Sequence, residues 1–562
     1  MATATLTKPN NPVNADETTP SSGLSAARFV LDQLSAWGVE RIYGVIGDGN
    51  LYFLDEIPKQ GRIEYIACRH EEAAALMACA EAKLTGRIGV CLATSGPGMV
   101  NLLNGLADAQ MDSTPVLAIT GQVDTKKIGT PTKQYINQQM MSAPIVSDAQ
   151  SVQIGSPDSL PDVLLRLLTT STVQGSVSHL TVPKDLWQQP VKGKVTPYRK
   201  HLHQPLLAPE SVIREAASSI AQAAKPVLYA GRGVKGMQQE LVELAELLQA
   251  PVVVTMPSKD VFPNGHRLFA GGLGQGGSEA SSIILDESDL IVMLGTSWWP
   301  EEYAPKHANM IQFDIAAEQI GQGHPLSAGV VGDLKHALPL VLEDCRRAAS
   351  GVNRSSWAKR TEEIIGQWND VLKQELNLDG SPIAPQRIMK ILSDVCDEDA
   401  VLCVDTGDHT LWFGRAFEAK RHDILLSGMW RTLGFALPAA IAAKRSAPGR
   451  QVVAIVGDGG AVQTLLELKT AAQYQVPLVL IILNNGSYAM EKNRMEQAGL
   501  NTLGSLLHNP DFVGVAEACG AKGYKVTSPA ELEKTLRQAL QENGPVVLDV
   551  ATADTMVPHT SI

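Results

Sequence analysis

Short apolar runs alternate with longer amphipathic stretches along most of the chain, and this alternation is its main structural signal. The runs have the length of buried strands, and the stretches between them have the spacing of helices. Strands that alternate with helices predict parallel sheets covered on both faces. The runs that we interpret as strands are, in order, RIYGVIG, RIEYIACR, RIGVCLA, TPVLAITG, VSHLTVP, KPVLYA, PVVVTM, LIVMLG, NMIQFDI, AVLCVD, ILLSG, QVVAIVG, VPLVLIIL and GPVVLDV.

Two interruptions of this pattern divide the chain into three regions. A Pro- and Lys-containing stretch, QQPVKGKVTPYRKHLHQPLLAP, is typical of a linker, and polar sequence at 346–357 leads into a helical connection. At 562 residues the chain is also too long for a single core. We therefore expect an α/β protein with three doubly wound parallel-sheet domains at 23–190, 205–345 and 375–555, preceded by a disordered tail at 1–22.

Composition narrows the class of protein. A hydrophobic content of 44% with 19% charged residues is that of an ordinary globular protein, and a net charge of −12 without a basic cluster argues against nucleic acid or anionic membrane as partner. Seven scattered cysteines without C-x-x-C spacing favour reduced thiols in a cytoplasm. The N-terminal tail lacks the apolar core of a signal peptide, and the chain ends without an amphipathic helix. We expect a cytoplasmic protein with no nucleic-acid partner and no stable membrane anchor.

The most informative stretch for function is GDGGAVQTLLELKTAAQYQVPLVLIILNN, from Gly457 to Asn485. It reads as the end of one strand, a helix and a second strand, so its two polar ends should emerge at one edge of a parallel sheet. Asp458 and Asn485 would then meet as hard oxygen donors, which Mg²⁺ prefers, often together with substrate phosphates. An isolated GDG would predict only a tight turn. The paired asparagines after a strand favour a metal and phosphate site instead.

This segment resembles the fingerprint of thiamine diphosphate enzymes, in which GDG is followed at a similar distance by NN. The resemblance implies that Asp458, the Asn485 side chain and the Ser487 carbonyl hold Mg²⁺ against the diphosphate of thiamine diphosphate. It also implies that the three domains are pyrimidine-binding, central FAD-type and diphosphate-binding domains, in that order. The glycines that would lie close to the diphosphate are Gly457, Gly459 and Gly460.

A second candidate site lies in the first domain, at CRHEEAAALMACAEAKLTG. Acids in the first turn of a helix commonly complement the helix dipole, and that explanation suffices for Glu72. The resemblance singles out Glu71 as the catalytic acid that exchanges a proton with the pyrimidine of the cofactor, near neutral pH. The turn that follows the next strand would lie beside the pyrimidine and the substrate, and it comprises Ser95, Gly96, Pro97 and Gly98.

Two segments of the third domain resemble other parts of the same cofactor site. VDTGDHTLW resembles the diphosphate-side loop, and SGMWRTLGFALPAAIAA resembles the segment that lines the thiazolium ring. In the second segment Leu433 stands where the family carries an apolar wedge that bends the cofactor, although alone it would read as a core leucine. The loop residues implied near the cofactor are Thr406, Gly407, Asp408 and His409.

The central domain contains a literal G-x-G-x-x-G between Gly231 and Gly236. A nicotinamide site is not favoured, because the acid expected about 20 residues later is missing after the next strand. Pyruvate oxidases and acetolactate synthases carry FAD in this domain, and we expect FAD here, while relatives without flavin keep the same fold. The residues that match are Gly231, Gly233, Gly274, Gly295, Thr296, Asp314 and Asp333.

Likeness to the pyruvate oxidase and acetolactate synthase branch extends from residue 23 to about 552, with three departures. Lys133-Gln134-Tyr135 replaces the Phe-Gln-Glu of pyruvate oxidases, so Gln134 is kept as a catalytic candidate while a cation replaces an aromatic ring. Arg494 aligns with an active-site Glu of the oxidases, and Glu491-Lys492 resembles sulfoacetaldehyde acetyltransferases. The third departure is the missing amphipathic C-terminal helix. Lys133 and Arg494 either pair an anionic substrate or are two solvent-facing cations, and the tentative substrate residues are Lys133, Met490 and Arg494.

The resemblance implies a decarboxylase of a 2-oxo acid, with pyruvate as the expected substrate. It implies thiamine diphosphate, Mg²⁺ and FAD as cofactors, with oxidation of the resulting enamine through FAD. One alternative is a carboligase or acetyl-transferring enzyme such as acetolactate synthase, and another is a cofactor-binding protein without turnover. The family builds each cofactor site from the first domain of one subunit and the third domain of another, so we expect a homodimer at minimum and a homotetramer as the assembly.

Overall fold

A computed structural model describes residues 23–199, 204–297, 299, 301–303, 305, 309–348 and 351–560. The tail predicted at 1–22 lies outside these residues. Within them the chain forms three six-stranded sheets in which every strand pairing is parallel, so the expected α/β fold with three doubly wound domains is confirmed. No helix of the described part is both long and apolar enough to cross a bilayer.

The first domain has the strand order 2-1-3-4-6-5, counted along its own sheet. Residues Leu24–Ser25 and Pro190–Val191 pair as a separate two-stranded antiparallel sheet that joins the two ends of the domain. The six strands are Arg41–Gly44, Glu64–Ala67, Gly89–Ala93, Val116–Gln122, Ser151–Gln153 and Val177–Pro183. The helices are Ala26–Ala36, Leu51–Gln60, Glu71–Thr85, Pro97–Met111, Gln138–Ser142 and Leu160–Gln174.

The central domain has the order 3-2-1-4-5-6, which is the order of dinucleotide-binding folds. Its strands are Pro226–Ala230, Val252–Val254, Phe269–Gly272, Leu290–Leu294, Asn309–Asp314 and Ala328–Val331. Its helices are Glu210–Gln222, Gln238–Leu248, Glu279–Glu287 and Leu334–Ala348. The long helix Ser355–Leu376 packs on this domain through Trp357, Ile364 and Trp368 and leads to the third domain.

The third domain repeats the order 2-1-3-4-6-5 of the first. Its strands are Val401–Val404, Asp423–Leu426, Val452–Gly457, Val479–Asn484, Lys522–Val526 and Val546–Ala551. Its helices are Pro385–Val395, Asp408–Ala416, Ala436–Ser446, Asp458–Thr464, Leu468–Gln473, Ala489–Gln497, Phe512–Cys519 and Pro529–Ala539.

The first and third domains share one hydrophobic core. The helix Glu71–Thr85 packs against Ala436–Ser446, and both present rows of alanines that let the two backbones approach closely. An ion pair between Arg445 and Glu64, at 2.5 Å, lies at the edge of this contact. The helices that begin at or shortly after Glu71 and Leu433 therefore pack directly against each other.

Candidate active site

A pocket lies at the carboxyl ends of the third-domain strands, where the strand order reverses between strand 1 (Val401–Val404) and strand 3 (Val452–Gly457). Open α/β sheets bind ligands at this kind of position. Most of the residues predicted for the diphosphate side of the site line it. They are Thr406, Gly407, Asp408, His409, Leu433, Gly457, Asp458, Gly459, Gly460, Asn485, Ser487 and Met490.

The predicted metal ligands are already oriented by hydrogen bonds. Asp458 Oδ2 accepts from the Gly486 backbone N–H and from Asn509 Nδ2, both at 2.7 Å. Asn485 Oδ1 accepts from the Ser487 backbone N–H at 3.1 Å. Burial raises the pKa of Asp458, and its hydrogen bonds oppose that shift. A buried carboxyl beside two neutral oxygen donors is a suitable ligand set for a hard divalent cation.

His409 places an unpartnered ring nitrogen at the same pocket. Its Nε2 is buried and has no hydrogen-bond partner among the described residues. Burial lowers the pKa of this imidazole to about 4, so the ring is neutral at physiological pH. A Cβ atom on Gly407 or Gly457 would lie 2.9 or 3.1 Å from the ring, respectively. Glycine at both positions therefore leaves room for the imidazole.

Leu433 is held by a buried acid that the sequence analysis did not select. Asp405 accepts hydrogen bonds from the backbone N–H groups of Gly434 at 2.9 Å and Ala436 at 2.8 Å. Its own neighbour Thr406 donates to the same carboxylate at 2.9 Å. Asp405 thus connects the diphosphate-side loop to the turn that presents Leu433 to the pocket.

The first-domain candidates form a second cluster. Glu71 is buried in the first turn of the helix Glu71–Thr85, and its Oε2 accepts from Asn101 Nδ2 at 3.0 Å. A Cβ on Gly98 would lie 3.1 Å from Glu71 Oε1, and one on Gly96 would lie 2.8 Å from the Gln134 carbonyl oxygen. Gly96 and Gln134 both have φ near +60°. Glycine at 96 and 98 therefore lets the loop of Gln134 and the carboxylate of Glu71 approach one turn.

This second cluster does not line the pocket of the same chain. Glu71, Gln134 and the turn from Ser95 to Gly98 lie together, and none of them lines this pocket. The pocket takes its lining from the third domain alone, so the predicted first-domain residues form a separate, assembled part of the site.

The tentative substrate residues are divided between these places. Met490 lines the pocket together with Glu491. Arg494 is exposed one helical turn further on and pairs with Glu491 at 3.4 Å, while Lys133 is exposed in the loop beside Gln134. The structure does not bring Lys133 and Arg494 together in one contact.

The central-domain glycines lie where a dinucleotide fold binds its ligand, but packing alone accounts for several of them. Gly231 and Gly295 follow the two strands at the reversal of strand order. A Cβ on Gly231 would lie 2.3 Å from the Gly295 carbonyl oxygen, and one on Gly233 would lie 2.6 Å from Gly295 Cα. The two loops therefore touch backbone to backbone, which glycine alone permits and which does not require FAD.

The remaining predicted FAD residues have local roles in the described structure. Asp314 Oδ1 accepts from the Ala316 N–H at 3.0 Å, and Asp333 Oδ1 accepts from the Lys335 N–H at 2.9 Å at the start of a helix. Thr296 is buried, and the carbonyl oxygen of Gly274 accepts from Thr560 Oγ1 at 2.9 Å. None of these contacts excludes or requires a flavin.

Three family models match the chain, one on each domain. They describe the N-terminal thiamine pyrophosphate binding domain at residues 24–145, the central domain of thiamine pyrophosphate enzymes at 213–341, and the C-terminal thiamine pyrophosphate binding domain at 405–550. The chain belongs to the thiamine pyrophosphate enzyme family. The resemblance predicted from GDG and NN is confirmed at this level.

Relatives within the thiamine pyrophosphate enzyme family differ in their activities. The chain is 37% identical to "Putative thiamine pyrophosphate-containing protein YdaP" of Bacillus subtilis, over 94% of this chain and 91% of that protein. It is 35% identical to acetolactate synthase large subunit IlvB1 of Mycobacterium tuberculosis, over 95% and 89% of the two chains. It is 28% identical to pyruvate oxidase of Lactiplantibacillus plantarum, over 96% and 90%. The specific likeness to pyruvate oxidase is therefore not distinguished from likeness to acetolactate synthase.

The pocket fits the cofactor that gives the thiamine pyrophosphate enzyme family its name. The unpartnered His409 Nε2 is a buried polar atom that a bound group would satisfy, and Asp458, Asn485 and the Ser487 carbonyl are suited to the cation of a diphosphate. Two contributing residues had no sequence signal: Asn509 lies in an irregular loop, and Asn101 lies in the middle of a helix. Asp405 had one, because it is the polar residue that ends the strand AVLCVD.

Proposed function

We propose that this protein is a thiamine diphosphate- and Mg²⁺-dependent enzyme that decarboxylates a 2-oxo acid, with pyruvate as the substrate. The observation that carries the proposal is the pocket lined by Asp458, Asn485, Ser487 and His409, whose Nε2 has no hydrogen-bond partner among the described residues. When bound, thiamine diphosphate would supply a carbon nucleophile and an electron sink for the bonding pair that remains when CO₂ departs. The protein supplies the metal site, the shape of the pocket and one movable proton.

The residues divide this work as follows. Asp458, Asn485 and the Ser487 carbonyl would hold Mg²⁺, and His409 with Gly459 and Gly460 would line the place of the diphosphate. Leu433, whose turn is fixed through Asp405, would pack against the cofactor. Glu71 holds and moves a proton at its carboxylate, and Asn101 keeps that carboxylate in one orientation. Gln134 lies next to the turn at Gly96 and is assigned to the substrate side.

We further propose that the working unit contains at least two copies of the chain and is a homotetramer. The support is that Glu71 does not line the pocket that its chemistry requires. A second chain that places its Glu71 cluster over the pocket would complete the site without rearranging either half. A cytoplasmic location agrees with seven buried, unpaired cysteine thiols.

For the fate of the product we propose oxidation through FAD bound to the central domain, as in pyruvate oxidase. The order 3-2-1-4-5-6 and the position of Gly231 and Gly295 at its reversal support a dinucleotide there. A second candidate is carboligation to a second 2-oxo acid, favoured by the 35% identity to an acetolactate synthase. In that case FAD would have no redox role.

One spectroscopic experiment separates these candidates. The purified protein is supplied with thiamine diphosphate and Mg²⁺, and its visible spectrum is recorded without oxygen before and after pyruvate, while CO₂ and acetolactate are measured. Yellow protein that bleaches with CO₂ release supports the oxidase. Unbleached or colourless protein that makes acetolactate supports the carboligase. Failure to bind thiamine diphosphate, or absence of CO₂ from every 2-oxo acid tried, would leave only a cofactor-binding role without turnover and overturn the proposal.

A further inference from the structure

The backbone just before Glu71 is held by the third domain of the same chain. Glu467 Oε1 accepts from two consecutive N–H groups, those of Arg69 at 2.8 Å and His70 at 3.1 Å. Its second oxygen, Oε2, accepts from Thr470 Oγ1 at 2.6 Å, which fixes the side-chain rotamer. Glu467 is only 2% exposed, so these bonds do not compete with bulk water.

A neighbouring contact reinforces this attachment. The Ala67 N–H donates to Tyr474 Oη at 2.8 Å, and that hydroxyl donates to the Tyr65 carbonyl oxygen at 3.2 Å. The end of strand Glu64–Ala67 and the two residues before helix Glu71–Thr85 thus make backbone hydrogen bonds to another domain, while the Cys68 N–H between them donates to the Gly44 carbonyl of its own domain. His70 also caps the helix, because its Nδ1 accepts from the Glu72 N–H at 3.2 Å.

The first domain makes the corresponding contact with the third. Asp112 accepts from two consecutive N–H groups, those of Gly428 at 2.9 Å and Met429 at 3.0 Å. Arg69 and His70 immediately precede Glu71, whereas Trp430, Arg431 and Thr432 stand between Met429 and Leu433. Lys83 Nζ lies 2.8 Å from Asp112, and although burial alone would raise the pKa of Asp112, Lys83 and Arg232 hold it at about 2. Each domain therefore uses one buried acid to hold the loop that presents the other domain's site residue.

We propose that Glu467 is a positioning residue for Glu71 and that Asp112 is its counterpart for Leu433. The inference rests on the proposed function, in which both Glu71 and Leu433 act on a cofactor. We use the name acid clamp for each acid with its two N–H donors: Glu467 with Arg69 and His70, and Asp112 with Gly428 and Met429. A catalytic carboxylate must hold its position closely, since a misplacement of about 1 Å costs on the order of 100-fold in rate.

The geometry at Glu467 calls for an acceptor oxygen that can take two N–H groups. A carboxylate oxygen has two lone pairs, so one oxygen of Glu467 accepts both N–H groups. Hydrogen bonds to an ionised acceptor are stronger than neutral ones, and here they oppose the rise in the pKa of Glu467 that burial causes. Without the carboxylate, two N–H groups at the start of the Glu71 helix would be left unpaired.

Hydrogen exchange of the cofactor-free protein tests the clamps directly. In Glu467→Ala we expect the Arg69 and His70 amides to exchange about tenfold faster, while the Gly428 and Met429 amides stay as in wild type. In Asp112→Ala we expect the reverse pattern. Equal acceleration at both loops in either variant, or none at the loop that lost its acid, would overturn the proposal, because it would mean general destabilisation or no attachment.

Kinetics then separate positioning from a chemical role. Glu467→Gln keeps Oε1 as an acceptor for both N–H groups, so we expect it to restore most of the kcat that Glu467→Ala loses, with KM for pyruvate unchanged in both. A Gln variant as slow as the Ala variant would show that the charge itself is needed and would contradict a positioning role.

If Glu467→Ala does not fold, Thr470→Val is the second variant, because it removes the hydrogen bond that fixes the Glu467 rotamer. Amide exchange at Arg69 and His70 must then rise by a smaller factor than in Glu467→Ala, or the clamp is wrong.

The exchange measurement needs no cofactor or substrate, so it is independent of the proposed function. Wild-type protein that shows the expected exchange pattern but no thiamine diphosphate-dependent activity would overturn the proposed function and leave the clamps supported. Active wild-type protein without the exchange pattern would overturn the clamps and leave the function supported.

Discussion

The first and third domains place different chemistry at equivalent points of one topology. After strand 1 the first domain carries Val45 and Ile46, and the third carries Asp405 and Thr406. After strand 2 the first domain presents Glu71, and the third presents Leu433. After strand 3 come the turns that contain Ser95 to Gly98 in one and Gly457 to Gly460 in the other. The same scaffold thus provides a proton-carrying side chain in one domain and a metal and phosphate pocket in the other.

The difference between the two lies in what is buried. The third domain gathers three acids, Asp405, Asp408 and Asp458, whose pKa values are all raised by burial. The first domain buries Glu71 at the start of a largely apolar helix, where the Asn101 side-chain amide donates a hydrogen bond to its carboxylate. A site divided in this way separates cofactor binding from proton transfer. Substitutions in the third domain should therefore weaken cofactor binding, and substitutions at Glu71 should lower the rate.

The largest effect is expected from the metal side. Asp458→Ala removes the one carboxylate of the proposed Mg²⁺ set, so we expect loss of thiamine diphosphate binding and activity below detection. Calorimetric titration with thiamine diphosphate and Mg²⁺ measures the first effect. Asp370→Ala, on the surface of the helix Ser355–Leu376, is the matched control and should behave as wild type. Unaltered cofactor affinity in Asp458→Ala would remove the assignment of this pocket.

The other half should lose rate without losing binding. Glu71→Gln keeps the shape of the side chain and removes its titratable proton, so we expect kcat to fall by about 100-fold or more with cofactor affinity retained. Steady-state kinetics and the same titration measure both. Glu72→Gln is the control, because it removes an equal charge from the same helix turn. If the two variants lose rate equally, the helix dipole and not proton transfer explains Glu71.

Sequence patterns predicted the sheets well except at their edges. Six described strands were not predicted. Two are the short pair Leu24–Ser25 and Pro190–Val191. The other four lie at edges of the six-stranded sheets, and they are Ser151–Gln153, Phe269–Gly272, Ala328–Val331 and Lys522–Val526. Interior parallel strands are covered on both faces and therefore read as apolar runs, whereas an edge strand is half exposed and short, and loses that signal. These edge strands are defined by their pairing with a neighbouring strand, and that pairing leaves no signal in the local sequence pattern.

The candidate site shows a similar division. Strand-end residues such as Asp458 and Asn485 were predictable, because their position follows from the strand and the chemistry follows from the residue type. Glu467, Asn101 and Asn509 were not, because each acts through a contact with a segment far away in sequence. Whether Glu71 and the pocket belong to one chain or two also exceeds what a single sequence determines without the resemblance.

Mixing two inactive variants tests the division of the site between chains. When Glu71→Gln and Asp458→Ala proteins are unfolded, mixed in equal amounts and refolded together, a site shared between chains gives mixed dimers with one intact site. We expect about a quarter of wild-type activity to return under random pairing. Each variant refolded alone is the control and should stay inactive. No recovery, with mixed dimers present by mass spectrometry of tagged chains, would place both halves in one chain.

The smallest effect concerns Asp405, which has an apolar counterpart, Val45, in the first domain. Burial raises the pKa of Asp405 to about 7, against the N–H donors Ala436, Thr406 and Gly434 that lower it. An unfolded Asp titrates near pH 4, so between about pH 4 and 7 the folded protein binds one more proton than the unfolded chain. The stabilisation of the folded protein that comes from this extra proton is fully present below about pH 4 and is lost as pH rises through about 7.

Asp405→Asn does not titrate, so the melting temperature of wild type relative to this variant should fall by a few degrees between pH 5 and pH 8. Other acids, Asp408 among them, cancel in this difference. A difference that stays constant or grows with pH would mean that the N–H donors keep Asp405 ionised and that the third domain holds the Leu433 turn with a charge.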